Sequence, residues 1–340
     1  MAERAQTGPL SGVKLRRLAA QDLDAVVGID AQITGRSRHA YFERRLQAAL
    51  RTPELHTQFA AEEDGVLEGY VLARRLEGEF GSIESAMRLE VISVRPGEQG
   101  HGYGDALLGA LQAEARKHGV FELHTQAVWK DHAMLSFLDH AGFQLGGNQV
   151  IDCEIHGGPF GAQEEKVLAP EHHHLSDEID LSAPQANDFE ALARDRADVR
   201  SLERADLEDI VRIDRRITGR DRSAYIGRVV DEALLDSAIR VSLVAHQDGS
   251  ATGFIMAKVD FGDFGRTEPV AVIDTIGVDP GFTGAGIGGA LLSQLFVNLE
   301  ALRVERVATV VARDNFGLLE FFYRAGFGAS QRLSFLKRLA

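Results

Sequence analysis

Gln99-Gly100-His101-Gly102-Tyr103-Gly104 recurs 184 residues later as Thr283-Gly284-Ala285-Gly286-Ile287-Gly288. The same offset maps Asp30-Ala31-Gln32-Ile33-Thr34-Gly35-Arg36 onto Asp214-Arg215-Arg216-Ile217-Thr218-Gly219-Arg220. It also maps Asp64-Gly65 onto Asp248-Gly249, Phe80-Gly81 onto Phe264-Gly265, and Ala141-Gly142-Phe143 onto Ala325-Gly326-Phe327, with no gap between the anchors. The chain is a duplicated domain, and each copy carries a glycine-rich loop between a strand and a helix.

Copy one spans residues 11–155 and copy two residues 195–340, with an unrepeated linker over 156–194. Within each copy, Leu23, Val26, Val27 and Asp30, matched by Leu207, Ile210, Val211 and Asp214, recur at helical spacing. A second helix is expected over Tyr41–Leu50 and Tyr225–Leu235. Phe59–Glu62 and Leu243–His246 each run into an Asp-Gly turn, a hairpin signal. A strand follows (Leu89–Val94; Ile273–Val278), then the glycine loop, a long helix (Asp105–Lys117; Gly289–Leu302), a strand, and a helix ending at Gly142 or Gly326. A last strand, around Val150–Ile155 or Leu333–Leu339, is expected to close each copy.

The length of 340 residues fits two domains of ordinary size, and 44% hydrophobic with 26% charged residues is ordinary soluble composition. No apolar run approaches about 18 residues, so no membrane partner is expected. Met1–Pro9 lacks the apolar core of a signal peptide, and Cys153 is the only cysteine, so the expectation is a cytoplasmic protein without a disulfide. A net charge of −14 argues against nucleic acid as a partner and suits a cationic acceptor. His172-His173-His174 in the linker has no cysteine or carboxylate at a ligand spacing, and its side chains alternate in direction, so no metal is expected.

Alternate glycines let backbone N–H groups turn inward, and the following helix adds its unpaired amides and the positive end of its dipole. The product is a site for phosphate or pyrophosphate; the plainer reading is a tight turn. No lysine follows the glycines, which excludes a Walker loop. Gly284, Gly286 and Gly289 have Rossmann spacing, but they lie late in the domain and Asp105 takes the third position in copy one.

With Val94-Arg95-Pro96 or Val278-Asp279-Pro280 before the loop, the sequence resembles the GNAT superfamily of N-acetyltransferases, whose motif is Gln/Arg-x-x-Gly-x-Gly/Ala. Copy one matches with Gln99, Gly102 and Gly104. Copy two keeps Gly286 and Gly288 but has Thr283 first. The family's later signature is matched by Asn315, Phe321, Phe322, Gly326 and Phe327, against Asp131, Phe137, Leu138, Gly142 and Phe143 in copy one. The resemblance implies an α/β (α+β) fold of two tandem domains, each a mixed, mostly antiparallel sheet flanked by helices. It further implies an N-acyltransferase using acetyl-CoA as co-substrate, acting on a small-molecule or protein amine; the rival reading is a non-catalytic acyl-CoA-binding protein. Ile92, Ser93 and Val94, with Ile276, Gly277 and Val278, would pair with the pantetheine. Gln99–Gly104 and Thr283–Gly288 would hold the pyrophosphate, with Asn315 beside them.

Glu90 and Asp274 occupy equivalent places, each four residues before the strand-end valine, and alternation places residues 90, 92 and 94 on one face. They are the candidate general bases, the alternative being carboxylates bonded to structural partners. Glu84 and Glu268 also coincide, either lining the acceptor site or solvated. Arg36, Arg38 and Tyr41, repeated as Arg220, Arg222 and Tyr225, are candidate acceptor contacts that would clamp a carboxylate or phosphate, or else make local ion pairs. The family's tyrosine acid has no counterpart: the position holds Leu138 and Phe322, with Tyr323 turned about 100° away.

Overall fold

The computed structural model describes residues 12–76, 85–155, 197–235, 241–260 and 262–339. The linker, including its histidine run, and Glu84 lie outside these residues.

Copy one begins with β1 (Lys14–Arg17), then α1 (Leu23–Thr34), α2 (His39–Arg51), β2 (His56–Glu63), β3 (Val66–Leu76), β4 (Ala86–Val94), α3 (Tyr103–Lys117), β5 (Glu122–Val128), α4 (His132–His140), β6 (Gln144–Leu145) and β7 (Asn148–Glu154). Copy two repeats the order with β8 (Asp198–Ser201), α5 (Leu207–Thr218), α6 (Ser223–Leu235), β9 (Leu243–Gln247), β10 (Ser250–Asp260), β11 (Val270–Val278), α7 (Ile287–Ala301), β12 (Arg306–Ala312), α8 (Phe316–Arg324), β13 (Gly328–Ala329) and β14 (Arg332–Arg338).

Local chemistry sets the boundaries. Gly35 and Gly219 adopt φ of 72° and 70° and close α1 and α5, a left-handed C-terminus that glycine enters without strain. Asp64-Gly65 and Asp248-Gly249 have positive φ at both residues, the turn whose twist matches a hairpin. In α3, Tyr103, Leu107, Leu111 and Ala115 recur every fourth residue and are buried; Ile287, Leu291, Leu295 and Leu299 do the same in α7.

Each sheet has seven strands, ordered β1-β2-β3-β4-β5-β14-β6 and β13-β7-β12-β11-β10-β9-β8. The expectation that the last strand closes its own copy is corrected here. β14 pairs antiparallel with β5 of copy one, from Arg332↔Val128 to Arg338↔Glu122. β7 pairs with β12 of copy two, from Asn148↔Ala312 to Glu154↔Arg306, the same register 184 residues removed. The cores are shared accordingly: Phe335 and Leu339 complete the cluster around α3, while Ile151, Cys153 and Ile155 complete the one around α7. Equivalent edges accept either strand, because ladder hydrogen bonds do not distinguish the copies.

Candidate functional site

In both copies the central pair of parallel strands parts company. β4 and β5 are in register only at Met87↔Leu123 and Arg88↔His124, β11 and β12 only at Ala271↔Val307 and Val272↔Ala308. The Thr125 hydroxyl donates to the Leu89 carbonyl and that of Thr309 to the Ile273 carbonyl, each at 3.0 Å, and close the apex. Beyond it, Ile92–Val94 and Ile276–Val278 keep their ladders only with β3 and β10. Their other edge suits an extended, amide-bearing ligand.

The glycine loops lie beyond the ends of these strands. Gly100, Gly102, Gly284 and Gly286 take φ of 85°, 90°, 84° and 82°. A Cβ at Gly100, Gly284 or Gly286 would meet nothing within 4 Å, so packing does not demand these glycines; the backbone turn does. Gly102 and Gly286 immediately precede α3 and α7. The first helical bonds run from Ala106 N–H to Gly102 and from Ala290 N–H to Gly286. The amides before them have no partner within the helix, as at any helix start. Gly104 and Gly288 sit in tight packing, since a Cβ would lie 3.1 Å from the Phe137 ring or 3.0 Å from that of Phe321 and the ring would have to give.

The other loop residues serve the loop itself. Tyr103 is buried and donates its phenol to Glu63, a bond that with burial pushes it up to about 12. Ile287 is core. Only the backbone of these two is available to a ligand. Gln99 reaches back to the Val94 carbonyl at 3.3 Å, and His101 lies 3.3 Å from Glu98. Thr283 and Ala285 follow a turn in which Asp279, buried, accepts from Arg212, Arg216 and the Gly281 amide. Asn315 caps α8 through the Leu318 amide at 3.2 Å, as Asp131 caps α4.

Glu90 and Asp274 do not share a face with residues 92, 94, 276 and 278, as simple alternation required. The register steps from Leu72↔Val91 to Ala73↔Leu89, and from Met256↔Thr275 to Ala257↔Ile273. Glu90 and Asp274 are thus the extra residues of two β-bulges, which re-aim a side chain and reset the alternation. Ile92, Val94, Ile276 and Val278 pack on the α3 and α7 sides, while Glu90 meets α2.

There the copies differ. Glu90 is 3% exposed and accepts from Arg45 Nε at 2.6 Å, with Arg88 3.6 Å away. Burial works to raise its carboxyl, but Arg45 and Arg88 outweigh that and hold it below the usual carboxylate range. Asp274 lies 3.2 Å from Lys258 with its side chain 18% exposed. The residue equivalent to Arg45 is Val229.

Of the candidate acceptor arginines, Arg38 and Arg222 make local ion pairs, the alternative that the sequence had offered. Arg38 is buried, grips Asp30 with both arms of its guanidinium, and donates to the carbonyls of Gly262 (2.5 Å) and Arg266 (2.9 Å) in copy two. Arg222 holds Asp214 in the same way. Arg36, Arg220 and Glu268 are exposed. The Tyr41 hydroxyl donates to Asp263 at 2.8 Å, and Tyr225 is buried beneath Arg222. Leu138 and Phe322 are core, and Tyr323 is 43% exposed.

The bulges bring Glu90 and Asp274 to one chamber between the copies, joined by residues that the sequence did not single out: Arg45, His56, Arg74, Arg88, Lys258 and Asp263. The repeats of Arg74 as Lys258 and of Glu79 as Asp263 carried a signal in the sequence. Among the described residues no group of His, Cys, Asp or Glu is placed to hold a metal, and no helix is long and apolar enough to cross a membrane.

The fold resembles three solved structures over nearly the whole chain. One is a GCN5-related glucosamine N-acetyltransferase region of a fungal multi-domain GH3 β-N-acetylglucosaminidase, with 14% identity and a TM-score of 0.63, covering 97% of this chain and 38% of that one. Another is a tandem GNAT protein from the clavulanic acid biosynthesis pathway, with 16% identity and a TM-score of 0.61, covering 96% and 98%. The third is a GCN5-related N-acetyltransferase from Sphaerobacter thermophilus, with 15% identity and a TM-score of 0.55, covering 96% and 95%. At these identities the likeness is one of fold. No curated protein matches the sequence. The model of the acetyltransferase (GNAT) family matches residues 24–143 and again residues 207–327. Each match takes in one glycine loop and one pair of splayed strands, and the chain belongs to the acetyltransferase (GNAT) family as two such domains in tandem.

Proposed function

We propose that the protein transfers an acetyl group from acetyl-CoA to a primary amine. The observation that carries this reading is the pairing, in both copies, of a glycine-turned helix start with an unladdered strand edge. The loop amides suit a pyrophosphate, and the backbone of Ile92–Val94 or Ile276–Val278 suits the amides of the pantetheine arm. In the reaction the amine nitrogen bonds to the acetyl carbon, the carbon–sulfur bond breaks, and the ammonium proton passes to a carboxylate, directly or through water. The sulfur leaves as thiolate and takes its proton from solvent, since neither copy offers the tyrosine.

Copy two is the better placed for chemistry. Asp274 is more accessible than Glu90, which Arg45 holds as a stabilised anion and hence a weak base. That ion pair favours a second reading for copy one alone: it holds acyl-CoA without turning it over.

The test follows thiol release from acetyl-CoA against a panel of amines. Asp274→Asn is expected to lower kcat by about 10²–10⁴ with acetyl-CoA affinity unchanged. Release with no amine, or an Asp274→Asn enzyme as fast as the parent, would sink the reading.

A further inference from the structure

A chamber of about 210 Å³ lies between the copies, on the α2 side of β4 and the α6 side of β11. The 184-residue offset relates its walls: Glu90 to Asp274, Arg74 to Lys258, and Ala48 to Glu232. The symmetry fails at Arg45, Arg51 and Arg88, whose counterparts are Val229, Leu235 and Val272, so copy one supplies the surplus of positive charge.

Four of the cations on its walls have a carboxylate. Arg45 meets Glu90 at 2.6 Å, Arg74 meets Glu232 of copy two at 2.6 Å, Arg88 lies 3.7 Å from Asp263, and Lys258 lies 3.2 Å from Asp274. Those pairs leave nitrogens over. Arg45 Nη1, Arg74 Nε, Arg88 Nε and His56 Nδ1 are buried and have no hydrogen-bond partner among the described residues, and all four residues line the chamber. Buried polar nitrogens seldom go unpaired, and guanidinium donors least cheaply. Burial, and then Arg45, Arg74, Lys258 and Arg88, push the His56 imidazole down to about 2, so it stands neutral in a positive field.

We propose that this chamber binds a small oxyanion with several acceptor oxygens, a di- or tricarboxylate or a phosphate ester, held jointly by both copies. Guanidinium forks match such planar or tetrahedral oxygens and do not match a neutral ligand. The volume falls below the roughly 300–1,000 Å³ of pockets for larger organic ligands, which restricts the class to small molecules. The inference does not rest on acetyl transfer.

The full chain is titrated calorimetrically with citrate, with inorganic phosphate, and with sodium chloride at matched ionic strength. Saturable millimolar or tighter binding of citrate or phosphate, absent with chloride, is expected, and the tighter of the two identifies the carboxylate or phosphate source. Ala48→Glu places a carboxylate at the position equivalent to Glu232 without removing any pair. It is expected to weaken binding at least about tenfold, by like-charge repulsion in the chamber. Arg88→Gln is expected to do the same and serves if Ala48→Glu does not fold. No saturable binding of either anion overturns the proposal, as it would if only water satisfied these donors. Binding that both substitutions leave unchanged also overturns it, because the anion would then sit on the glycine loops. Acetyl-CoA affinity, measured separately, decides the transferase reading alone.

Discussion

Glu90 and Asp274 are equivalent in sequence and in backbone, yet two neighbours separate them: Arg45 against Val229 and Arg88 against Val272. Glu90→Gln is expected to act on stability rather than chemistry. It leaves Arg45, 7% exposed, without its counter-charge, and breaking one side of a buried pair costs about 3–5 kcal/mol. Urea denaturation checks this; a loss under about 1 kcal/mol would put the pair in the range of surface bridges instead. His56 gives the residue-scale pH dependence. Its ordinary value is 6.5 and its folded value about 2. Between those limits the unfolded chain binds the proton and the folded chain does not, so stability falls as pH drops below 6.5. Arg45, Arg74, Arg88 and Lys258 enlarge the penalty, while Glu90, Glu232, Asp263 and Asp274 on the same walls oppose it. His56→Gln is expected to flatten the stability profile between about pH 6.5 and pH 5, above the ordinary carboxylate range. Parallel profiles for parent and variant would show that His56 titrates normally.

At the scale of elements, most boundaries were legible because their causes are local. Glycine closed α1 and α5, Asp-Gly turned both hairpins, and four-residue spacing marked α3 and α7. The bulges were not legible. A bulge arises from the mismatch between β4 and β3, or β11 and β10, and nothing in Leu89-Glu90-Val91 alone announces it. Strict alternation therefore placed Glu90 on the wrong face. The glycine loop yields the element-scale prediction. Gly286→Val forces a β-branched side chain into φ of 82°, a region such residues scarcely populate. It should weaken acetyl-CoA binding at least about tenfold, an effect comparable to misplacing one or two charge-assisted bonds of about 1.5–3 kcal/mol each. Gly102→Val tests copy one identically. Calorimetry showing parent-like affinity in both variants and in the double variant would remove the loops from the donor site.

For the molecule as a whole, the exchange of β7 and β14 makes the copies interdependent. Deleting the chain from Arg332 onward should open the sheet of copy one, because β5 loses its antiparallel ladder, keeping only the short parallel pairing with β4, and the core loses Phe335 and Leu339. Copy two keeps β7 and should hold. Hydrogen exchange resolves this directly: amides of Glu122–Val128 should lose protection while those of Arg306–Ala312 retain it. Equal loss at both strands would show that the sheets unfold as one unit, and no loss at β5 would show that β14 contributes little.

The sequence by itself determined the duplication, the order of elements, the two glycine loops and the family resemblance. Each follows from short-range patterns that a 184-residue offset repeats. Only the tertiary structure decided which strand closes which sheet, where the bulges turn Glu90 and Asp274, and that Arg38 is bound to Asp30 rather than free for an acceptor. It alone brought Arg45, Arg74, Arg88 and His56 around one chamber. The physical reason is common to all four. Helix caps and hairpin turns are satisfied within a few residues, whereas strand pairing and buried ion pairs are satisfied by groups far apart in the chain. For those, a local pattern states the need for a partner but not which one meets it.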